Sequence, residues 1–220
     1  MKKTGNKVIK FENKPSIISS AGGVGPKEAE GPLGKDFDIC FEESNIGQDS
    51  WEKAESVLQK TAAELSLQKA GLKNTDIDII FAGDLLNQCI ASSFGLMNLE
   101  TSFVGMYGAC STMALSLINA GVYVDCGAAQ KTLAVTSSHF CSAERQYRFP
   151  LEYGGVRPPT SQWTVTGSGA VIVGKGGSIY LNNFLIGKIV DGGIKDANNM
   201  GAAMAPDDVK IRPYPMGVGG

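Results

Sequence analysis

Short apolar runs that alternate with helix-type patterns constrain this chain more than any other feature of its sequence. Each run is bounded by polar residues or glycine and has the length of a buried strand. Strands separated by helices imply βαβ units, and apolar strands imply a sheet covered on both faces. We therefore predict a layered α/β/α protein with a mixed, mostly parallel sheet. The predicted strands are 77–82, 102–107, 132–136, 164–173 and 184–190.

The first long helix is predicted to follow an irregular arm. Residues 1–48 are rich in glycine, proline and charge, and within them we predict only short strands, such as 16–20. Asp49 is the candidate N-cap of the helix, and Glu52 stands three residues later, as in a capping box. Gly71 is the expected stop, because glycine readily adopts the left-handed C′ conformation. The apolar stripe of this helix comprises Trp51, Ala54, Leu58, Ala62 and Leu65.

The segment from Met106 to Thr112 carries the most informative chemistry. Its small residues predict a tight turn from a strand into a helix over 111–125. Cys110 stands at the start of that helix, where unpaired N–H groups and the helix dipole favour a thiolate or a ligand carboxylate. The alternative interpretation is a small buried cysteine at a crowded turn. The predicted apolar face of the helix comprises Met113, Ala114, Leu117, Ile118 and Gly121.

Charge and cysteine content argue against several classes of function. The net charge is −2, and no lysine or arginine run exceeds two residues, so we expect no nucleic-acid partner. The five cysteines lack Cys-x-x-Cys spacing and fit neither a disulfide framework nor a zinc site, so most are expected in the core, in a reducing compartment. We expect neither a signal peptide nor a membrane-spanning segment, which needs about 18 consecutive apolar residues.

Several motifs resemble a known superfamily. Gly108-Ala-Cys-Ser-Thr before an apolar helix, followed by Thr166-Gly-Ser-Gly-Ala-Val-Ile-Val, is similar to the first half of the thiolase-like condensing enzymes. The chain more closely resembles the stage V sporulation protein AD family, a thiolase-like family of the SpoVA spore-membrane complex. The motifs behind this closer resemblance are Ser20-Ala-Gly-Gly, Gly25-Pro-Lys-Glu, Gly31-Pro-Leu-Gly, Ala82-Gly-Asp-Leu-Leu-Asn-Gln, Ser137-Ser-His, Ala143-Glu-Arg-Gln-Tyr-Arg-Phe-Pro, Glu152-Tyr-Gly-Gly and Met200-Gly-Ala-Ala-Met-Ala-Pro.

The resemblance implies a ligand, partners and a location. It implies a sporulation protein that binds dipicolinic acid (pyridine-2,6-dicarboxylate), alone or as its calcium complex, with no cofactor of its own. The implied partners are the SpoVA membrane subunits and a second copy of the chain, paired through the edge strand 102–107. The implied location is the cytoplasmic or forespore side, peripheral to the spore inner membrane.

The resemblance also implies a domain organisation. Family members continue well beyond this chain into a second, similar half, so the chain is expected to be truncated. We predict that residues 1–178 form the first thiolase-like half. We predict that residues 179–220 begin the second half and end in a disordered tail.

Candidate ligand residues follow predicted strands, at the edge where open α/β sheets bind their ligands. Asp84 and His139 are expected on the same rim as Cys110; the alternatives are a turn residue and a satisfied structural histidine. In the charged and aromatic loop 144–153, an arginine is expected to pair with a carboxylate and a tyrosine to stack on a pyridine ring, or else the loop is solvated. The candidate set is Asp84, Asn87, Cys110, Ser111, His139, Glu144, Arg145 and Arg148.

Carbon–carbon bond chemistry is not expected, although the cysteine turn is shared with condensing enzymes. The resemblance implies a cysteine served by a histidine and a second polar group from the other half of the fold. This chain has a single histidine, His139. We therefore expect a binding protein rather than an enzyme. The alternatives are an acyltransferase with Cys110 as the acyl acceptor, and a non-catalytic scaffold or dimerisation module.

Overall fold

Two sheets organise the computed structural model, which describes residues 1–4, 7–147, 163–188, 191 and 193. The smaller sheet comprises β1 (Lys2–Thr4), β2 (Val8–Lys10) and β10 (Asn183–Leu185). The larger sheet comprises β3 (Ser16–Val24), β4 (Ile39–Cys40), β5 (Ile79–Gly83), β6 (Ser102–Gly105), β7 (Thr132–Ser138), β8 (Gly167–Gly174) and β9 (Ile179–Tyr180).

The larger sheet is mixed and mostly parallel, as the sequence predicts. Its strands follow the order β4-β3-β8-β7-β5-β6, and β9 also pairs with β3. β3 is parallel to β4, and β5 is parallel to both β6 and β7. β8 is antiparallel to both of its neighbours, β3 and β7. Five strands, β3 to β7, therefore point the same way, and their C-terminal ends lie at one edge.

Helices cover both faces of this sheet. The α-helices are α1 (Pro26–Ala29), α2 (Trp51–Ala70), α3 (Ile90–Leu96), α4 (Thr112–Asp125) and α5 (Phe140–Tyr147). Successive strand residues point to opposite faces: Ile80 joins a core cluster with Ala62 and Leu67 of α2, whereas Phe81 joins a second cluster with Ala120 of α4. The predicted α/β/α layering is confirmed.

The ends of α2 agree with the prediction at one terminus and not at the other. Gly71 adopts the left-handed conformation at φ 64° and ends the helix, as predicted. The N-cap is Ser50 rather than Asp49: the Ser50 hydroxyl oxygen accepts a hydrogen bond from the Lys53 N–H at 3.2 Å. Asp49 instead forms an exposed ion pair with the Lys53 side chain. The predicted N-cap is therefore wrong by one residue, and the N3 position holds Lys53 in place of the glutamate or glutamine of a capping box.

The N-terminal region is more ordered than its composition indicates. The predicted short strand 16–20 is the first part of β3, which continues to Val24 and lies inside the larger sheet. Long-range pairing with β8, from Ser16 opposite Gly174 to Val24 opposite Gly167, stabilises this strand. Local sequence cannot reveal partners about 150 residues away.

The buried face of α4 is not the predicted apolar stripe. The fully buried residues are mostly small or polar, and Met113, Leu117 and Ile118 are only half-buried. A Cβ added to Gly121 would lie 2.9 Å from the ring of Phe11, so α4 packs too closely for larger side chains. The buried residues are Thr112, Ser116, Ala120, Gly121, Val124 and Asp125.

Most cysteines are not in the core. Cys89 is buried and Cys141 is half-buried, whereas Cys40, Cys110 and Cys126 are exposed. The prediction of mainly buried thiols is wrong, and all five thiols are free in the structure.

Contacts divide the chain into two units. Residues Met1–Tyr147 and Thr164–Ile186 form one unit, and Arg148–Trp163 with Gly187–Gly220 form the other. The predicted boundary at residue 178 and the disordered tail stay predictions. Within the described residues, the structure has no helix that is both long enough and apolar enough to cross a membrane.

Candidate functional site

Three parallel strands bring the predicted site segments to one edge of the sheet. β6, β5 and β7 are neighbours in that order, so their C-terminal ends meet. Asp84 directly follows β5, the Cys110 turn follows β6, and His139 directly follows β7. The topology therefore agrees with the expectation that these segments share a rim.

The Cys110 turn is accessible. Residues Ala109–Ser111 form a 3-10 turn that leads into α4, and both Cys110 and Ser111 are exposed. Ala109 adopts a positive φ of 46°, which is uncommon for a residue with a side chain. The alternative interpretation of Cys110 as a small buried residue is wrong.

Local hydrogen bonds between hydroxyl groups and the backbone hold the turn at the start of α4. The Ser111 hydroxyl donates to the Gly108 carbonyl at 2.7 Å, and the Thr112 hydroxyl donates to the Ala109 carbonyl at 2.7 Å. The Gly108 N–H donates to the Thr112 oxygen at 3.1 Å. Within the described part of the chain, no side chain caps this end of α4. The two helix starts therefore differ, because α2 has the Ser50 cap and α4 has no equivalent among the described side chains.

Asp84 is a structural residue of this rim rather than an exposed one. Its carboxylate is buried and accepts hydrogen bonds from the Leu86 N–H at 2.8 Å and from the Ser92 N–H and hydroxyl at 2.8 and 2.6 Å. The bond to a residue two positions ahead is an Asx turn. The structure favours the turn-residue alternative, because the carboxylate is already satisfied.

His139 is likewise buried and satisfied. Nδ1 accepts a hydrogen bond from the Cys141 N–H at 3.2 Å, so the tautomer with its proton on Nε2 lets that atom donate to the Ser44 carbonyl at 2.7 Å. The ring also stacks on Trp51, with ring centroids 5.3 Å apart. Burial lowers the pKa of His139, an effect that the Ser44 carbonyl opposes. The imidazole is therefore a neutral structural group.

The predicted charged loop is partly a helix. Glu144 and Arg145 belong to α5; the Thr164 hydroxyl donates to Glu144 at 2.9 Å, and the mostly exposed Arg145 forms an ion pair with Glu52 of α2. Asn87 is exposed, and its N–H donates to the Gln146 side chain at 2.8 Å, which joins the Asn87 turn to α5. Arg148 and Tyr153 lie outside the described residues.

A cleft of about 370 Å³ opens beside the start of α2. Arg145 lines it together with Asp49, Trp51 and Glu52. Among the residues described, Arg145 alone of the predicted set lines this cleft.

Sequence reasoning missed a buried polar network beneath the rim. The Glu55 carboxyl accepts hydrogen bonds from the Ser137 and Ser142 hydroxyls at 2.9 and 2.8 Å. Gln59 joins Ser137 to Ser92 and so to Asp84. Glu55 and Gln59 adjoin the predicted stripe of α2, but nothing local in the sequence marks them as buried.

The described residues contain no group of three or more His, Cys, Asp or Glu side chains arranged to hold a metal ion. The satisfied carboxylate of Asp84 agrees with this finding.

Sequence comparisons identify a family. The family profile described as stage V sporulation protein AD matches residues 5–212. Stage V sporulation protein AD of Bacillus subtilis (strain 168) is 46% identical over 208 residues, which cover 94% of this chain and 61% of the relative. The chain therefore spans less than two thirds of the length of that relative.

Structural comparison supports the fold alone. Two crystal structures of variants of Xanthomonas campestris OleA match with a TM-score of 0.50 and 15% identity. The matches cover 75% and 76% of this chain, and 57% and 59% of the OleA chains. The first half of a thiolase-like fold, predicted from the motifs, agrees with these matches.

Proposed function

Because this chain belongs to the stage V sporulation protein AD family, we propose that it binds dipicolinic acid, alone or as its calcium complex. In this proposal it serves dipicolinate uptake together with the SpoVA membrane subunits, peripheral to the spore inner membrane. The observation that carries the proposal is the exposed Cys110–Ser111 turn at the uncapped start of the 14-residue helix α4.

The helix start supplies one part of the recognition. Backbone N–H groups at the beginning of a helix and the helix dipole attract a carboxylate. The exposed Ser111 hydroxyl adds a donor once it turns from the Gly108 carbonyl toward a ligand. Cys110 borders the same position and in this proposal contacts the ligand without reacting.

Arg145 supplies the second part. A dicarboxylate needs a cationic partner for its second carboxylate, and arginine binds carboxylates in a bidentate manner. Arg145 is mostly exposed, and its ion pair with Glu52 is one that a ligand carboxylate replaces at little cost. Arg148, outside the described residues, is proposed as a second cation of the same segment.

Calcium enters this proposal with the ligand. Two carboxylates and a ring nitrogen give dipicolinate its own set of calcium ligands. The Asp84 oxygens already accept three hydrogen bonds, so a direct Asp84–calcium contact would break them. Since the chain covers 61% of its relative, we propose that the remaining part of the relative completes the pocket.

Calorimetry tests the proposal. Pyridine-2,6-dicarboxylate is titrated, with and without calcium, into this chain and into the full-length Bacillus subtilis relative. Benzene-1,3-dicarboxylate, which lacks the ring nitrogen, is the control ligand. We expect saturable binding of the pyridine compound that exceeds binding of the control. Absence of saturable binding to the folded full-length relative contradicts the proposal.

A variant pair locates the site. Arg145→Gln is expected to weaken binding by roughly tenfold or more, because it removes a charge-assisted pair. Lys73→Gln, also exposed but at the opposite end of α2, is the matched control and is expected to leave affinity unchanged. Equal affinity of both variants would remove Arg145 from the site.

An acyltransferase is the second candidate, favoured by the exposed thiol of Cys110 at a helix start. His139 does not favour it, because both ring nitrogens are engaged. Incubation with acyl-CoA followed by mass spectrometry decides between the candidates. A stable adduct on Cys110, absent from Cys110→Ala, supports an acyltransferase, and its absence supports the binding protein.

A homodimer or scaffold role is the third candidate. β6 is an edge strand whose four residues are all exposed, including Phe103 at 40% and Val104 at 38%. Unpaired edge strands are available for pairing with a second copy. In sedimentation velocity, Val104→Lys is expected to shift a dimer to monomer, whereas Val165→Lys, exposed elsewhere, is not. Identical behaviour of both variants contradicts pairing through β6.

A further inference from the structure

Three elements meet at one buried carboxyl group. Glu55 lies in the second turn of α2 and is fully buried. Its two oxygens accept hydrogen bonds from Ser137, at the end of β7, and from Ser142, in α5. The carboxyl thus connects the core of the protein to α5, the last helix before the segment 148–162, which lies outside the described residues.

Gln59 presents an unsatisfied acceptor one turn further along α2. Its Nε2 lies 3.1 Å from the Gly83 carbonyl, 3.1 Å from the Ser92 oxygen and 3.2 Å from the Ser137 oxygen. Both serine hydroxyls donate to carboxylates, so the amide nitrogen must face these three acceptors. The amide oxygen Oε1 is left buried without a hydrogen-bond partner.

Glu55 lies one helical turn before Gln59, and both side chains contact the Ser137 hydroxyl. Residues four apart on a helix are neighbours on the same face. A neutral carboxylic acid has one O–H donor, whereas a carboxylate has none. A buried acceptor without a partner destabilises the fold, so the Gln59 oxygen favours the neutral form of Glu55.

The surroundings of Glu55 act in the same direction. Burial raises the pKa of Glu55 to about 7, the two serine hydroxyls oppose that rise, and the negative charge of Asp84 adds to it. Both protonation states are therefore populated near neutral pH. Other charged or titratable groups on the elements packed nearby are Glu28, Glu52, Cys89, His139, Cys141, Glu144 and Arg145.

α5 is the element best able to respond. It has eight residues, and among those whose side chains the structure describes, only Ser142 and Ala143 are fully buried. Its remaining polar ties to α2 and to the Asn87 turn involve the exposed Arg145 and Gln146. The two core clusters of the described residues include members of α2 and β7 but none of α5.

We propose that Glu55 is a pH-responsive tie that holds α5 against α2 when neutral and releases it when ionised. Neutral Glu55 donates to the Gln59 oxygen and keeps its bond from Ser142. Ionised Glu55 loses the Gln59 contact and is repelled by Asp84, so water enters and α5 opens. This device operates without a ligand and goes beyond the proposed function, although α5 also carries Arg145 of the proposed ligand site.

Hydrogen exchange of the full chain tests the tie. Amide exchange in residues 141–147 is measured at about pH 5.5 and about pH 8 and corrected for the intrinsic effect of pH on exchange. We expect protection to fall by roughly tenfold at the higher pH, the factor that corresponds to about one pKa unit of differential stability. Unchanged protection in the wild type overturns the proposal.

Variants separate Glu55 from other titrating groups. Glu55→Gln is expected to keep high protection at both pH values, whereas Glu64→Gln, exposed on the same helix, follows the wild type. His139 is present in all of these proteins, so its own titration cancels. A fall in Glu55→Gln equal to that of the wild type overturns the proposal.

Ser142→Ala provides a second route that leaves Glu55 intact. Without the hydroxyl, α5 is expected to exchange faster at about pH 5.5, and the difference between the two pH values shrinks to less than about threefold. Retention of the full difference in Ser142→Ala means that α5 is not tied through Glu55.

Discussion

The two long helices of the sheet begin at the same edge, but their first turns differ. α2 leads into β5, and α4 leads from β6 into β7, so both helices start beside the C-terminal ends of the parallel strands. The Ser50 side chain caps α2, and Glu52 in its first turn pairs with Arg145. α4 has no side-chain cap and no acidic residue in its first turn.

This difference leaves the start of α4 more open to a ligand than the start of α2. At α2 the chain supplies its own acceptor and its own negative charge, so the positive end of the dipole is compensated from within. At α4 no described side chain supplies a cap beside the exposed Cys110 and Ser111, and the N–H groups of Ser111 and Thr112 donate to the carbonyls of the preceding 3-10 turn. The proposed carboxylate site therefore includes the start of α4, and the buried Glu55 network lies on the α2 side.

The largest expected loss of stability comes from disturbing the close packing between the end of β5 and the start of α4. A Cβ on Gly83 would collide with the Met106 carbonyl and lie 2.6 Å from Thr112 Cγ2, at the first residue of α4. Gly83→Ala is expected to destabilise the protein by more than roughly 3 kcal/mol, because backbone must move. Urea unfolding measures the change.

Gly169→Ala is the matched control for that substitution. A Cβ at Gly169 meets nothing within 4 Å, and the change is expected to stay within roughly 0.5 kcal/mol. Equal stability of the Gly83 and Gly169 variants would show that α4 is not held closely against the end of β5.

The second effect is the pH dependence of stability that Glu55 of α2 contributes. The folded-state pKa of Glu55, about 7, exceeds its ordinary value of 4.5, so the folded state binds more protons than the unfolded state between these values. Stability therefore falls as pH rises through this window, by roughly 2 to 3 kcal/mol. The pKa of His139 is lowered, so this residue has the opposite effect: its contribution to the stability of the protein is lost as pH falls.

Comparing the pH profiles of the wild type and Glu55→Gln isolates the contribution of Glu55 to the pH dependence of stability. We expect the stability of this variant relative to the wild type to increase as pH rises from about 4.5 to about 8. Glu64→Gln serves as the control and should parallel the wild type. Parallel pH profiles for the wild type and Glu55→Gln in thermal unfolding would falsify the assignment of Glu55 as a titrating core group.

The smallest effect tests the caps directly. Ser50→Ala removes an N-cap and is expected to cost about 1 kcal/mol. Ser111→Ala is expected to cost roughly half of that or less, because the exposed Ser111 hydroxyl donates to Gly108 and does not cap α4. If both substitutions cost the same in urea unfolding, the distinction between the two helix starts fails.

Local pattern predicted the layers of the fold but not all of its pairing. The apolar runs near 79–83 and 132–138 are strands, and Gly71 ends α2 as its residue type indicates. The antiparallel placement of β8 between β3 and β7 depends on partners far away in the chain, which spacing does not encode. For the same reason the N-terminal strand was predicted too short.

The site was predicted in part, and its polar interior was missed. The exposed turn at Cys110 follows from small residues before a helix, but its role in ligand binding stays a prediction. Asp84 and His139 were placed at the correct edge, although both are satisfied within the protein. The burial of Glu55 is not predicted because glutamate is usually exposed, and its serine partners are more than 80 residues away.

The antiparallel strand β8 has a consequence for synthesis on the ribosome. Among the described strands, β8 is the one that pairs with both β3 and β7, so these two strands are not joined in one sheet before β8 has been synthesised. During translation the edge of β3 that pairs with β8 has no partner until about 150 further residues have been synthesised. This long separation slows folding, and the unpaired edge is prone to aggregation. A nascent chain arrested before Gly167 therefore cannot close its sheet.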